Sequence, residues 1–482
     1  MSREEVQNPG LKFDEEFRDT MSTVDQKGER VWIYPKKPSG YYHKWRIAVT
    51  VILLSILFAG PFIKIAGQPF LLLNVFERRF VVLGQAFWPQ DFVLLALVLI
   101  AFFVFIILFT VVFGRVWCGW ACPQTLFMEM VFRKIEYLIE GDANEQRRLN
   151  KAPWTSTKIV KKVSKQAIFI LISILIAHTS MAYIIGIEDT FTIVTHSPAE
   201  NLAGFIGLLG FTATFYGVFA HFREQACIAV CPYGRLQGVL LTKQSIVVAY
   251  DWVRGEPRGK LRKNPVASVA HGDCVDCKLC VHVCPTGIDI RNGTQLECVN
   301  CTACIDACDD VMIKIGKPKG LIRFASYDSI SQGVQKLLTP RVIGYSFVLI
   351  ALLCIVSFAL FTRSDIETTV LKVPGTTFQR GEDGLISNLY NIEFVNKTFD
   401  DIDLEVRIVS PSSATLEKVG EPNLKVQGEG LAKSVYFVKM PPEAISEPKT
   451  EVVLGVYRDG EIVERIKTKF ISPVTRASEW KR

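Results

Sequence analysis

Five stretches of this chain are each apolar for long enough to cross a lipid bilayer: Ile47–Gly67, Phe92–Phe113, Ala167–Ile187, Leu202–Phe222 and Val342–Phe361. Hydrocarbon offers a peptide group no partner. A crossing segment must therefore satisfy its own backbone, and runs of about 20 residues do so as helices. The chain reads as a multi-pass α-helical membrane protein with five spans. A long charged segment precedes the first run, so that run does not read as a cleavable leader. Basic residues set the orientation. Nine Lys and Arg precede the first span, among them Lys36, Lys37, Lys44 and Arg46, and the loop after the third span has none. The loop after the second span and the segment between the fourth and fifth are also basic. The amino terminus is expected in the cytoplasm and the carboxyl terminus outside. This topology accounts for the +7 net charge, and no nucleic acid partner is needed.

Eight of the thirteen cysteines stand in two consecutive C-x2-C-x2-C-x3-C runs. One is Cys274, Cys277, Cys280 and Cys284, closed by Pro285; the other is Cys298, Cys301, Cys304 and Cys308. Each iron of a [4Fe–4S] cube needs a thiolate, and in two-cluster proteins the fourth Cys of each run ligates the other cluster. The expected sets are Cys274, Cys277, Cys280 and Cys308 for one cluster, and Cys298, Cys301, Cys304 and Cys284 for the second. Zinc knuckles also use C-x2-C pairs, but two tandem runs of four argue against them. Asp309 stands where a second Pro is usual. Asp276, Lys278, Asp306 and Asp310 read as a solvated rim, and His282 as a surface residue.

A second cysteine motif occurs twice. Cys118-Gly-Trp-Ala-Cys122-Pro123 follows the second span, and Cys227-Ile-Ala-Val-Cys231-Pro232 follows the fourth. Matching placement suggests an internal repeat that gathers four thiols at the membrane boundary. Pro favours the first position of a helix, so Cys122 and Cys231 are expected to cap one each. Arg115 and Arg223 nearby would favour thiolates, which suit Cu(I) or a further iron–sulfur centre. Structural cysteines at tight joints are the simpler alternative. His178 and His221, in or at the end of spans, read as interior or interfacial histidines. Cys354, in the last span, reads as an apolar filler, and Lys64 as a snorkelling side chain.

The remaining segments order the chain. Residues 1–46 form a cytoplasmic tail, flexible to about Tyr34. Residues 47–250 carry four spans and both C-x3-C-P motifs, and 251–340 form a cytoplasmic two-cluster ferredoxin-like domain. Residues 341–361 make the fifth helix, and 362–482 an all-β, immunoglobulin-like sandwich. Phe70–Val75 and Phe80–Leu83 read as short strands, with Phe87 and Trp88 at the outer interface. The periodicity of Leu126–Glu140 predicts a helix lying on the cytoplasmic surface. Its apolar face would carry Phe127, Met130 and Leu138, with Arg133, Glu136 and Glu140 elsewhere. Alternating runs at Leu389–Phe394, Leu404–Ile408, Val435–Val438, Glu451–Tyr457 and Ile462–Phe470 give the sandwich its strands.

Five segments resemble the FixG/CcoG (RdxA) family of accessory proteins of the cbb-type cytochrome c oxidase. They are GQAFWPQDF at Gly84–Phe92, GRVWCGWACPQT at Gly114–Thr125, CPYGRLQ at Cys231–Gln237, YDWVRGEPRG at Tyr250–Gly259, and the two ferredoxin runs. The resemblance implies a bacterial inner-membrane iron–sulfur protein with a periplasmic immunoglobulin-like domain. It implies reduction of Cu(II) to Cu(I) during oxidase assembly, with copper as substrate or ligand at Cys118, Cys122, Cys227 and Cys231. The partners implied are oxidase subunits or copper-delivery proteins, besides an unidentified cytoplasmic electron donor. Two other classes remain open: a quinol-oxidising relay to a periplasmic acceptor, and a non-catalytic copper-binding scaffold. The residues by themselves reach membrane-bound iron–sulfur electron transfer.

Overall fold

The computed structural model describes residues 23–24, 27–65, 67–76, 79–82, 84–87, 91–260, 271–373, 377–381, 384–420, 424–428, 430–445 and 447–473. Most of the expected flexible tail, and Trp88, lie outside these residues. The chain divides into two compact units. One comprises the residues up to Asn74 with Leu95–Ile355, the other Val75–Leu94 with Val356 onward.

Five helices are long and apolar enough to span a membrane. They are α1 (Tyr41–Ala59, its span continued to Phe62), α2 (Phe92–Phe113), α3 (Ser156–Ile185), α4 (Leu202–Tyr216, its span continued to Phe222) and α5 (Pro340–Phe361). Two begin earlier than hydropathy suggests, and for capping reasons. α3 starts at Ser156 because the Thr155 hydroxyl accepts from the Lys158 amide. α1 starts at Tyr41 because a carboxylate from another element caps it. Asp306 accepts from the amides of Tyr42 (3.0 Å) and His43 (2.8 Å) and is buried, so it does not belong to a solvated rim. The first span and the cysteine-bearing segment are thereby pinned together.

Aromatic packing holds α1, α3 and α4 around the segment after α2. Phe132 stacks on Phe219 and meets Phe169 edge-on, both at 4.7 Å between centroids, with Phe127 and Ile176 completing the core. Both Phe127–Phe132 and Gly217–Phe222 are π turns. The extra residue in the first rotates everything after it, and this corrects the expected surface helix. Arg133, Glu136 and Glu140 face inward and are buried, while Leu138 is 85% exposed.

These inward charges are matched. Arg133 pairs with Glu129 (2.7 Å) and Glu224 (3.3 Å), and Arg223 holds Glu136 through two nitrogens at 2.9 and 2.7 Å. Lys162 and Lys165 reach Glu140 at 2.9 Å, and Arg30 reaches Glu224 at 3.2 Å. Burial works against ionised Glu136, but Arg223, Lys165 and Arg133 outweigh it and hold the carboxyl below its usual range. Residues from Arg30 to Lys37 are anchored rather than loose. The Trp32 ring lies under the Arg30 guanidinium, Tyr34 accepts from Asn150, and the Lys36 amide donates to His282 O.

The cysteine-bearing segment is closed by two antiparallel strands, Val247–Tyr250 and Ile322–Ala325, which bring its ends together. Ile288, Ile290, Ile305, Met312 and Leu321 form its core. Asp309 has its own use here. Helix Ala303–Lys314 runs on past Cys308, which Pro at 309 would interrupt, and the Asp309 carboxylate accepts from the Gly320 amide at 2.8 Å.

The second unit contains a sandwich. One sheet runs in the order Thr415–Val419, Leu431–Met440, Ile386–Asn396, Ile366–Lys372, with Gln379–Arg380 beside Ile386–Asn396. The other runs Leu424–Val426, Ile402–Ser410, Lys449–Arg458, Glu461–Ile471. All five expected strands are present, and each is longer than its alternating run. Their inward residues, including Ile392, Phe394, Val438, Val452, Leu454 and Phe470, make a closed core. Further strands were missed before α2: besides Leu71–Asn74 and Arg79–Val82, Gln85–Phe87 pairs with the latter, and Lys64–Ile65, expected within the first span, pairs with Gln68–Pro69.

Removing one member of the buried ion network leaves its partners unpaired. Glu224→Ala is expected to destabilise the protein by about 3–5 kcal/mol, read as a lowered thermal midpoint in detergent. Asp306→Ala removes only a cap, at about 1 kcal/mol. Because the Glu136 pKa is lowered on folding, its contribution is present above the unfolded value of about 4.3. It is lost as pH falls through the folded value. Glu136→Gln should flatten acid-side destabilisation in a pH series of melting curves.

Candidate metal centres

The two ferredoxin-type runs fold alike. In each, the residues on either side of the second cysteine are left-handed: Asp276 (φ 49°) and Lys278 (57°) around Cys277, Asn300 (53°) and Thr302 (66°) around Cys301. Such turns point successive backbone N–H groups into one concavity, which suits anionic sulfur. Sequence spacing alone gives no sign of them, because none of the four is glycine.

The runs also cross. Cys274, Cys277, Cys280 and Cys308 line one cavity; Cys284, Cys298, Cys301 and Cys304 line a second, with Cys280 at the border between them. Among the described residues, no three Cys, His, Asp or Glu side chains are grouped so as to hold a single metal ion. Thiolates of a tetrahedral zinc site, with ~2.3 Å bonds, would stand about 3.8 Å apart. Thiols spread around a space suit a cube instead. Burial pushes the thiols of Cys280, Cys298 and Cys308 up to about 12 and that of Cys301 to about 11. They stay protonated until a metal displaces the proton. The set containing Cys277 is called the outer one because Cys277 is exposed; no cysteine of the second, inner set is exposed, Cys301 being buried and Cys284, Cys298 and Cys304 half-buried. The residues fit two [4Fe–4S] clusters.

The four boundary cysteines also gather. Cys122 (φ −65°, ψ 123°) and Cys231 (φ −67°, ψ 115°) have nearly the same backbone, and each precedes a helix with Pro first, Pro123–Leu126 and Pro232–Leu240. Cys118 feels the charges of Cys122 and Cys231, and Cys227 those of Cys122, Cys118 and Cys231. The expectation of lowered thiol pKa values fails at two of them. Burial dominates at Cys118, despite Gln237 and Arg115, and takes Cys227 up to about 12. Arg223 is engaged with Glu136 instead. Gln237 Nε2 donates to Cys118 at 3.5 Å, and the Thr125 side chain hydrogen-bonds Cys227.

The boundary loop and the inner set are in contact. Gly119, between Cys118 and Cys122, lies against the Val299–Cys301 backbone. A Cβ there would collide with Val299 O and stand 3.0 Å from the Cys301 amide nitrogen. Trp120 Nε1 donates to Asn300 O at 3.3 Å, and Cys118 packs in the core that holds Cys301 and Cys304. Arg133 Nη2 donates to Pro285 O at 3.1 Å, tying the ion network to the residue after Cys284.

The histidines lie elsewhere. His178 bonds Ile174 O at 2.7 Å through Nδ1 and lines an apolar cavity of about 340 Å³ with Phe58, Phe62 and Phe191. The His221 ring packs edge-on against Trp32 at 6.1 Å, and His282 is exposed. Lys64 pairs with Glu188 at 2.8 Å. Sequence reading missed the roles of Arg46, Gly119, Thr125, Gln237 and Asn300; Gly119, Thr125 and Gln237 lie in motifs quoted above but signalled no role, and Arg46 was read only as an orienting charge.

Fold and site together define a membrane iron–sulfur protein with a dicluster ferredoxin region and an all-β carboxyl-terminal unit. Family models agree. A 4Fe-4S dicluster domain matches residues 222–327, a 4Fe-4S binding domain matches 95–140, and the IG-like fold at the C-terminal of FixG matches 356–473. The chain is 34% identical to protein RdxB of Cereibacter sphaeroides over 88% of its length and 92% of that protein. It is 35% identical to RdxA of the same organism (77% and 81%) and 31% identical to the nitrogen fixation protein FixG of Rhizobium meliloti (86% and 87%). The chain belongs to the FixG/RdxA family.

Gly119→Ala should force the boundary loop off Cys301. Iron and acid-labile sulfide per chain, measured after anaerobic purification, are expected to fall by roughly half as the inner set is lost. Gly207→Ala, within α4 and facing only the end of Met181, should leave both unchanged.

Proposed function

We propose that this chain is an inner-membrane electron-transfer protein that reduces Cu(II) to Cu(I) for assembly of a cbb-type oxidase. Cys274, Cys277, Cys280 and Cys308 would hold one [4Fe–4S] cluster, and Cys284, Cys298, Cys301 and Cys304 the other. When bound, the clusters supply one-electron storage. In this reading the cysteine segment faces the cytoplasm, where a soluble donor meets the exposed Cys277 edge, and the sandwich faces the periplasm. Cys118, Cys122, Cys227 and Cys231 take the copper substrate. Soft sulfur ligands favour Cu(I) over Cu(II), so binding assists the reduction. Each Cu(II) consumes one electron, and the donor is oxidised by one.

The observation that carries this reading is the contact of Gly119 with Val299 and Cys301. It makes the copper-side thiol Cys118 a neighbour of the inner cysteine set, with no intervening element. The periplasmic unit then serves docking to oxidase subunits or copper-delivery proteins.

The decisive assay uses anaerobic, pre-reduced full-length protein. Cu(II) addition should bleach back the iron–sulfur absorbance within seconds and yield about one chelatable Cu(I) per electron lost. Cys118→Ser and Cys231→Ser should lower the rate at least tenfold while the reduced iron–sulfur paramagnetic signals persist. Unaltered rates in both variants would reject the boundary thiols as the copper site.

A further inference from the structure

Four buried arginines converge on the loops that carry the cysteines, and they differ in what balances their charge. Arg133 is matched by Glu129 and Glu224, and Arg291 by Asp276 and Asp289. Arg46 and Arg115 are only 3% and 6% exposed, yet among the described residues neither has a carboxylate within ion-pair reach. Arg46 Nε donates to Gly119 O at 3.1 Å, and its Nη2 is buried without a partner. Arg115 donates to Leu296 O and Gly234 O, carbonyl dipoles that solvate a guanidinium without neutralising it. A buried unbalanced charge is costly unless an anion completes the site.

The anions at hand are sulfur. Arg46 acts electrostatically on Cys301, and Arg115 on Cys298 and Cys118. All three belong to the inner set or the boundary loop. The outer set lies in a different field. Arg291 lines its cavity and acts on Cys280, but Asp276 and Asp289 balance that charge; Asp273 is paired with Arg254 and Lys317, and Asp309 adds negative charge beside Cys308.

We propose that Arg46 and Arg115 are the counter-charges of the inner cysteine set and the boundary thiols, and make the inner centre the more easily reduced of the two. This rests on the electron-transfer reading above and gives it a direction. With both centres bound, the exposed Cys277 edge would face a one-electron donor protein, and the set beside Cys118 would be the one that retains the electron. Both arginines are positioning residues that act through their field.

A redox titration of the anaerobic, iron-replete full-length protein, followed by electron paramagnetic resonance, resolves two midpoints. Arg115→Gln keeps amide donors for the carbonyls but removes the charge. It should shift the equilibrium between the centres about tenfold, lowering the higher midpoint by about 59 mV for one electron and leaving the lower one in place. Arg46→Gln should act in the same direction, and Arg115→Lys, which keeps the charge, should retain the higher midpoint. Unchanged midpoints in both Gln variants, or an equal fall with Lys and Gln, overturn the proposal. If the Gln variants lose iron, retention by Arg115→Lys supports it and loss there too overturns it. None of these readouts uses copper. A protein that shows the shift yet never reduces Cu(II) sinks the copper reading and leaves the counter-charges standing.

Discussion

A missing side chain at Gly119 lets two backbones touch, and much of the membrane-boundary architecture follows from that contact. Because Val299 O occupies the space a Cβ would need, the loop bearing Cys118 lies directly on the loop bearing Cys301. Trp120 and Arg46 then fasten the same loop, one to Asn300 O and the other to the first span. Asp306 completes the clamp by capping α1 from the cysteine-bearing helix. The first span, the Val299–Cys301 loop and the cysteine-bearing helix, distant in sequence, are thus tied together around one short loop. Any larger residue at 119 would separate the thiol sets that the contact joins.

Charge at the ends of apolar helices needs a partner or water, and this protein uses two solutions. The network of Arg133, Glu224, Arg223, Glu136, Glu140 and Lys165 is buried but internally matched, and it fixes how α3, α4 and the π-turn segment meet. Buried ion pairs of this sort are worth little over apolar packing, but they penalise any arrangement that leaves one member alone. Arg46 and Arg115 follow the other solution, with carbonyls for solvation and no carboxylate. The contrast separates a structural network from a site awaiting negative charge.

Much of this was legible in the residues. Hydropathy located all five helices, cysteine spacing located both ferredoxin-type runs, and period-2 alternation located the sandwich strands at Leu389, Leu404, Val435, Glu451 and Ile462. What was hidden depends on register or distance. The π turn at Phe127–Phe132 inserts one residue, so a strict 3.6-residue period placed Arg133 outside and Leu138 inside, the reverse of what is seen. Asp306 looked solvated because its partners, the amides of Tyr42 and His43, lie more than 260 positions away. Arg223 was expected beside Cys227, but its own left-handed backbone (φ 54°) turns the chain there, and its side chain reaches Glu136. Propensity and periodicity describe neighbours in sequence, and each of these is a neighbour only in space.

The raised thiol pKa values bear on how such a centre is completed. Burial pushes the thiols of Cys280, Cys298, Cys301 and Cys308 up to about 11–12, so sulfur gives up its proton there only to a metal. The left-handed turns at Asp276, Lys278, Asn300 and Thr302 aim backbone N–H groups into the same cavities, where they meet the charge that arrives with the metal. Metal binding then releases protons and introduces negative charge. That charge arises beside Arg46 and Arg115, which are buried with no carboxylate in ion-pair reach among the described residues, so the burial costs of cation and thiolate offset each other. Ligand charge and buried cation are thus matched across the same loops, and removing either leaves the other unpaired.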